Sequence, residues 1–260
     1  MSENVSTSSS LERAAGEAES LLLSPSLGSV SPPPPYVQSK AQLELARTEK
    51  ATRSPTIRPS NFRRVTRDNL PITGMFVIDP DLEVPDDLLE GPPSQKRLRN
   101  LYLKTNREVD VDVWTKRHEP VPSNAGTGKV VVEMKAPGIV SKHTIRLHVG
   151  HGTSCALNVY AKAHLYLAIP ADLVGPINLD VGSDRIYFSD SVQSRLITFS
   201  ETHGGRRCFL GDLRNDGYTH KDSWKGSSIA VTLESSAAIL YIYTLGEKPP
   251  QASYPACTVA

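Results

Sequence analysis

Cysteine occurs three times in 260 residues, at Cys155, Cys208 and Cys257. Three thiols so widely scattered exclude a disulfide framework and point to a reducing compartment, so a cytoplasmic location is the expectation. Charge of one sign is also missing. Lys and Arg number 29 against 28 Asp and Glu, giving a formal net charge of +1 and a pI near 7.7. So weak a field argues against general nucleic-acid binding. No apolar run approaches the roughly 18 residues of a membrane span. The first twenty residues hold neither a basic n-region nor an apolar h-region, and Leu21-Leu22-Leu23 is too short to be one. A secretory leader is therefore not expected. Finally, no stretch shows the long 3.6-residue periodicity of an amphipathic helix.

Alternation is what the chain does have. Leu101–Thr105, Val109–Trp114, Val130–Met134, Ile145–Val149 and Ile177–Val181 each switch between apolar and polar residues. Successive strand side chains point to opposite faces, so the pattern makes one dry face and one wet face. Strands are expected at 72–79, 100–105, 109–115, 129–136, 143–149, 155–169 (one or two), 177–181, 185–189, 196–200, 206–211, 228–234 and 238–244. Polar turns separate them, among them Gly150-His151-Gly152, Gly182-Ser183, Gly204-Gly205 and Asn215-Asp216-Gly217. The expected fold is one all-β domain over 58–245, of many short and mostly antiparallel strands. A β-sandwich fits that pattern, and so does a short β-solenoid. Val109, Val111 and Val113 should share the dry face, with Asp110, Asp112 and Trp114 opposite. Leu157, Val159 and Ala161 should likewise be buried, leaving Asn158, Tyr160 and Lys162 outside.

The front of the chain has another character. Residues 1–60 hold 13 serines, 7 prolines and one aromatic, Tyr36. Such a composition buries too little apolar area to offset chain entropy, which predicts a disordered tail over 1–57, with a second flexible tail at 246–260. Residues 39–47 could form one marginal helix. Eight bases crowd residues 39–67 against Glu44 and Glu49, so this arm is either a solvated linker or a contact for an anionic membrane surface. Within the tail, Pro33-Pro34-Pro35-Tyr36 matches the ProProXaaTyr ligand of WW domains. The prolines preset an extended helix and the tyrosine supplies the side chain that enters a pocket.

Asn100–Asn106, Ile169–Ile177, Arg185–Ser189, Arg195–Thr202, Arg206–Asp212 and Trp224-Lys225-Gly226 together resemble an uncharacterised domain family of mushroom-forming (basidiomycete) fungi. The resemblance covers roughly residues 58–245. It implies a β-fold with strand–turn repeats similar to those of β-solenoid, adhesin-like domains, and it implies no catalytic residue. The chain departs from the family at two turns, where Asn106-Arg107 and Ser183-Asp184 stand in place of an Asn-Gly signal.

Several clusters invite chemistry. His143, His148 and His151 suggest a metal site, but 143 and 148 differ by an odd number and face opposite ways on a strand. Gly126-Thr127-Gly128-Lys129 lacks the spacing and the following helix of a phosphate loop and reads as a hairpin turn. Asp110 and Asp112 share a face about 7 Å apart, close enough for paired-carboxylate work or for Ca²⁺. His203, Arg206, Arg207, Cys208 and Asp212 form the densest reactive group. A hydrolase would need His203 and Cys208 within hydrogen-bond reach, yet Cys208 sits in an apolar run, where a buried thiol is inert. The reading that results is a non-enzymatic interaction module with no cofactor and no metal, whose tail recruits a WW-type partner through Pro33, Pro34, Pro35 and Tyr36. The alternatives are an adhesin-like domain binding carbohydrate or a surface, and a hydrolase built on His203 and Cys208.

Overall fold

Alternating β-branched and polar residues give each strand one face to bury, and two sheets meet over those faces. The computed structural model describes residues 56–89, 98–116, 129–139, 142–221 and 223–248. The strands are β1 (Arg63–Arg67), β2 (Ile72–Ile78), β3 (Leu101–Thr105), β4 (Val109–Thr115), β5 (Lys129–Ala136), β6 (Lys142–Val149), β7 (Ser154–Ala161) and β8 (His164–Ile169). They continue with β9 (Gly175–Val181), β10 (Ile186–Phe188), β11 (Leu196–Thr202), β12 (Gly205–Leu210), β13 (Ser228–Leu233) and β14 (Leu240–Thr244). One short helix, α1 (Asp190–Gln193), and a 3₁₀ turn at Asp86–Leu88 complete the regular structure of the described residues.

The first sheet has the order β1-β3-β5-β7-β13-β9-β12-β11, and the second β10-β14-β8-β6-β4-β2. Ten of the described strand pairings are parallel. Only β11–β12 and β12–β9 are antiparallel. This corrects the expectation of mostly antiparallel strands. Dry-in, wet-out alternation is the usual mark of an antiparallel sheet, since parallel sheets are normally covered on both faces by helices. Here each sheet is covered on one face by the other sheet. Consecutive strands from β1 to β10 alternate between the two sheets, so described turns such as Gly150-His151-Gly152 and Gly182-Ser183 are arches that carry the chain across the core. A parallel neighbour needs a long crossover; the crossover is a strand of the opposite sheet. Gly204, at φ 74°, does close a hairpin, β11–β12.

The windings stack in register but at unequal intervals. Arg63 pairs with Leu101, Leu101 with Val132 and Val132 with Leu157, so the step shrinks from 38 to 31 to 25 residues. The last pair of strands breaks the order. β13 lies between β7 and β9, and β14 lies between β8 and β10. The chain first lays down β9 and β10 one place too far out, adds the β11–β12 hairpin, and then returns to fill the vacant rung. The C-terminal strands therefore join the two halves of both sheets.

The core runs unbroken between the sheets and is almost wholly aliphatic, from Ile72 and Leu101 through Val113, Leu147 and Leu167 to Val231 and Ile242. Val109, Val111 and Val113 are fully buried, while Asp110, Asp112 and Trp114 face outward. Leu157, Val159 and Ala161 are buried, with Asn158, Tyr160 and Lys162 outside. One strand, β1, was missed: its RRVTR sequence carries three arginines on a sheet edge, where charge discourages further pairing. Residues 1–55 and 249–260 of the expected tails fall outside the described residues, as do Gly126, Thr127 and Gly128.

Candidate functional site

The vacant-rung topology makes the most built-up surface of the domain. To reach its slot from β12, the chain must pass β9, and residues 211–221 and 223–227 lie over the outer face of the first sheet. Gly211 turns the chain at φ 116°, and Asp212 and Asp216 lock the following turn. The Asp212 amide donates to Asp216 Oδ2 at 2.8 Å and the Arg214 amide to Asp212 Oδ1 at 3.0 Å. The connection is then anchored by rings. Phe209 of β12, Tyr218 and Trp224 lie 5.2–5.9 Å apart with tilted or edge-to-face planes, the geometry aromatic quadrupoles favour. Trp224 Nε1 donates to the Ser227 carbonyl at 2.7 Å.

Beneath this connection runs a groove. It comprises two adjoining cavities of about 470 and 680 Å³, which share Asn178, Arg207, Lys221 and Ala230. Strand register aligns its floor. Asn158 of β7 pairs with Ala230 of β13, Ala230 with Asn178 of β9, and Asn178 with Arg207 of β12. The row crosses the strands at about 4.8 Å per step. Ala230 has only a methyl, so the two amides stand as rims of a shallow trough. Each carboxamide offers two donors and an acceptor, and neither is engaged by another described residue. Phe199, 60 % exposed, sits at a bulge in β11 and forms part of the wall, as do Tyr218 and Trp224.

The charge lining the smaller cavity has one sign. Lys129, Arg207 and Lys221 line the smaller cavity, and no described carboxylate does. None of the three has an ion-pair partner among the described residues. Burial holds the Lys129 ammonium below its ordinary pKa, with the nearby Cys155 acting in the opposite direction. Cys155 itself is pushed up to about 12 by burial, so its thiol stays protonated. Asp180 lines the larger cavity beyond Asn178.

The outer face of the second sheet carries comparable side chains in closed pairs. Arg146 donates to Asp110 Oδ1 at 2.8 Å and to Asp112 Oδ2 at 3.4 Å. His148 lies 3.2 Å from Asp112 and stacks flat on Trp114 with centroids 3.8 Å apart. Lys142 sits 4.6 Å above the ring of Tyr166.

The residues singled out from sequence do not converge. His143 is buried inside, where its Nδ1 accepts from the Val109 amide at 3.3 Å. Burial, with His164 adding to the effect, lowers its pKa to about 4. His148 is on the outer face, and His151 is exposed in a turn. Asp110 and Asp112 share a face, with Arg146 bonded to both. His203 is exposed at the β11–β12 turn and lies 3.1 Å from Asp184, while Cys208, the fourth residue of β12, is buried beside Thr198. The three strand steps from Gly205 to Cys208 span about 10 Å, which keeps the two out of reach of each other. Burial raises the Cys208 pKa. Among the described residues no cluster of three or more His, Cys, Asp or Glu is placed to hold a metal. Pro33, Pro34, Pro35 and Tyr36 lie outside the described residues.

The groove residues escaped the sequence reading, although a signal was there. Asn158 and Asn178 each interrupt an aliphatic strand, and asparagine is depleted in strands. What could not be read was that β13 would come between them.

These features define a strand-rich domain of two mostly parallel sheets with a preformed surface groove. The chain belongs to the DUF7330 family, a domain of unknown function, which matches residues 61–244. No curated protein and no solved structure matches the chain. Among the described residues no helix is long and apolar enough to cross a membrane.

Proposed function

We propose that the domain is a non-enzymatic binding module for carbohydrate, with the sugar lying in the groove on the outer face of the first sheet. The observation that carries this reading is the row Asn158–Ala230–Asn178 beside the exposed ring of Phe199. Sugars present paired hydroxyls, which are met by side chains that both donate and accept, and apolar C–H faces, which are met by rings. The winding of parallel strands between two sheets supports the solenoid, adhesin-like alternative named from sequence. A hydrolase is disfavoured by the separation of His203 and Cys208. Titration of the full-length chain with oligosaccharides, followed by calorimetry and tryptophan fluorescence, tests the proposal. Binding in the range of about 1 mM to 1 µM is expected, equivalent to about 4–8 kcal/mol. Asn158→Ala and Asn178→Ala should each weaken it at least fivefold without changing the melting temperature. Undiminished binding in the double variant would sink the assignment.

A second function belongs to the tail and rests on sequence alone. Pro33-Pro34-Pro35-Tyr36 is proposed to recruit a WW-domain partner, with a Kd on the order of micromolar or weaker. Tyr36→Ala should abolish capture of an isolated WW domain, and equal capture by both forms would reduce the motif to a spacer.

A further inference from the structure

A neutral sugar calls for amides and rings. It does not call for cations, and this groove has three without a described partner. Cations that no carboxylate neutralises leave a cavity with a positive potential that favours an anionic ligand. Lys129, Arg207 and Lys221 line the same cavity, and no described carboxylate does. Elsewhere on the domain several cations are matched: Arg146 with Asp110 and Asp112, Arg99 and Lys135 with Glu133, Arg206 with Glu201. Others, such as Lys104 and Arg107, stand singly, whereas the smaller cavity gathers three unmatched cations in one lining.

We infer that the groove takes an acidic sugar chain, a polyuronate in chemical class, laid across the strands with its carboxylates against Arg207, Lys221 and Lys129. This rests on the carbohydrate reading above and deepens it. The planar guanidinium of Arg207 suits a carboxylate through two parallel hydrogen bonds. Position sets the ligand's length. Lys129 is on β5 and Arg207 on β12, four places apart in the order β5-β7-β13-β9-β12, or about 19 Å between strand axes. Along β5, Lys129 lies four residues from Glu133, the residue in register with Asn158, which adds about 13 Å in the strand direction. A ligand reaching both cations therefore runs obliquely over the floor for about 23 Å, a chain of about four to five sugars at nearly one strand spacing per residue. Single-stranded nucleic acid would use the same cations, but it binds by stacking bases on open aromatic faces. Phe209, Tyr218 and Trp224 spend their edges and faces on one another, leaving Phe199 as the open ring.

Calorimetry on the full-length chain at about 0.15 M salt tests this, with tetragalacturonate, digalacturonate, cellotetraose and a ten-nucleotide oligothymidylate as the four titrants. Tetragalacturonate should bind at least tenfold more tightly than cellotetraose and than the dimer, and raising the salt should weaken it. Arg207→Ala and Lys221→Ala should each cost about tenfold for tetragalacturonate and several-fold less than that for cellotetraose. Lys221 is an exposed loop residue, so its variant keeps the test open should Arg207→Ala lower the melting temperature. Equal binding of neutral and acidic tetramers would overturn the acidic assignment and leave the carbohydrate reading standing. Binding of neither sugar would overturn both. Tighter binding of oligothymidylate than of tetragalacturonate would replace the sugar with nucleic acid and end the proposal.

Discussion

On the outer face of the second sheet, Arg146 lies between Asp110 and Asp112, His148 closes on Asp112 and Trp114, and Lys142 caps Tyr166. On the outer face of the first, Arg207, Lys221 and Lys129 surround Asn158 and Asn178, and none of the five has a described polar partner. Both patches are outward rows of a mostly parallel sheet, built from strands with the same period and backed by the same aliphatic core. They differ in whether the chain supplies the counter-charge itself. A compensated face gains structure and has nothing left to offer a ligand. An uncompensated one contributes little to folding and keeps its hydrogen-bonding and charge free for something else.

The shared inner faces should produce the largest effects. Val231→Asp places a carboxylate in β13, at the rung that joins the two halves of each sheet. Val111→Asp does the same on β4; both side chains are essentially inaccessible. Each should cost several kcal/mol, on the order of 3–5, enough to unfold a typical domain, as denaturant melts would show. If Val231→Asp melted like the wild type, the rung-filling role of β13 would be wrong.

His143 and His148 lie on one strand, β6, with opposite surroundings, so acid should distinguish inside from outside. His143 is buried with a folded-state pKa of about 4, below the unfolded value near 6.5. Between those values the unfolded chain binds the extra proton, so His143's contribution is complete above about pH 6.5. It is lost as pH falls toward about 4, by about 3 kcal/mol in all. Urea melts at pH 7 and pH 4.5 should show this loss. A His143→Leu variant, if it folds, should flatten that part of the profile. An unchanged slope in the variant would assign the acid sensitivity elsewhere.

Smaller effects separate the two outer faces. Arg146→Ala leaves Asp110 and Asp112 facing each other and should cost about 1 kcal/mol, the scale of partly exposed ion pairs. Arg207→Ala removes a cation with no described partner and should change stability by less than about 0.5 kcal/mol. Thermal melts of the two variants side by side check the ordering, and a larger loss for Arg207→Ala would show that the groove cation is structural. Asp112→Asn should have the smallest effect, since the amide oxygen can still accept from Arg146.

Much of the fold could be read from sequence because period-2 alternation reports burial directly. It placed Val109, Val111 and Val113 inside, and it located all but one of the described strands, β1 being the exception. Pairing direction was not legible. A polar turn such as Gly150-His151-Gly152 looks the same whether it closes a hairpin or arches between sheets, and the shrinking 38-, 31- and 25-residue steps hid the stacking. The groove was less legible still. Asn158, Asn178 and Ala230 become neighbours only because β13 returns past β9, a long-range event with no local signature. The reactive residues that drew attention, His203 and Cys208, lie close in sequence but far apart along their strand.

The central claim is that the outer face of the first sheet binds a ligand and that of the second does not. Backbone amide NMR of the full-length chain during a titration with tetragalacturonate tests it most directly. The account predicts that the largest shifts cluster at Asn158, Asn178, Arg207, Lys221 and Ala230, while Asp110, Asp112, Arg146 and Tyr166 stay still. Shifts centred on the second sheet's face, or scattered over both, would contradict it.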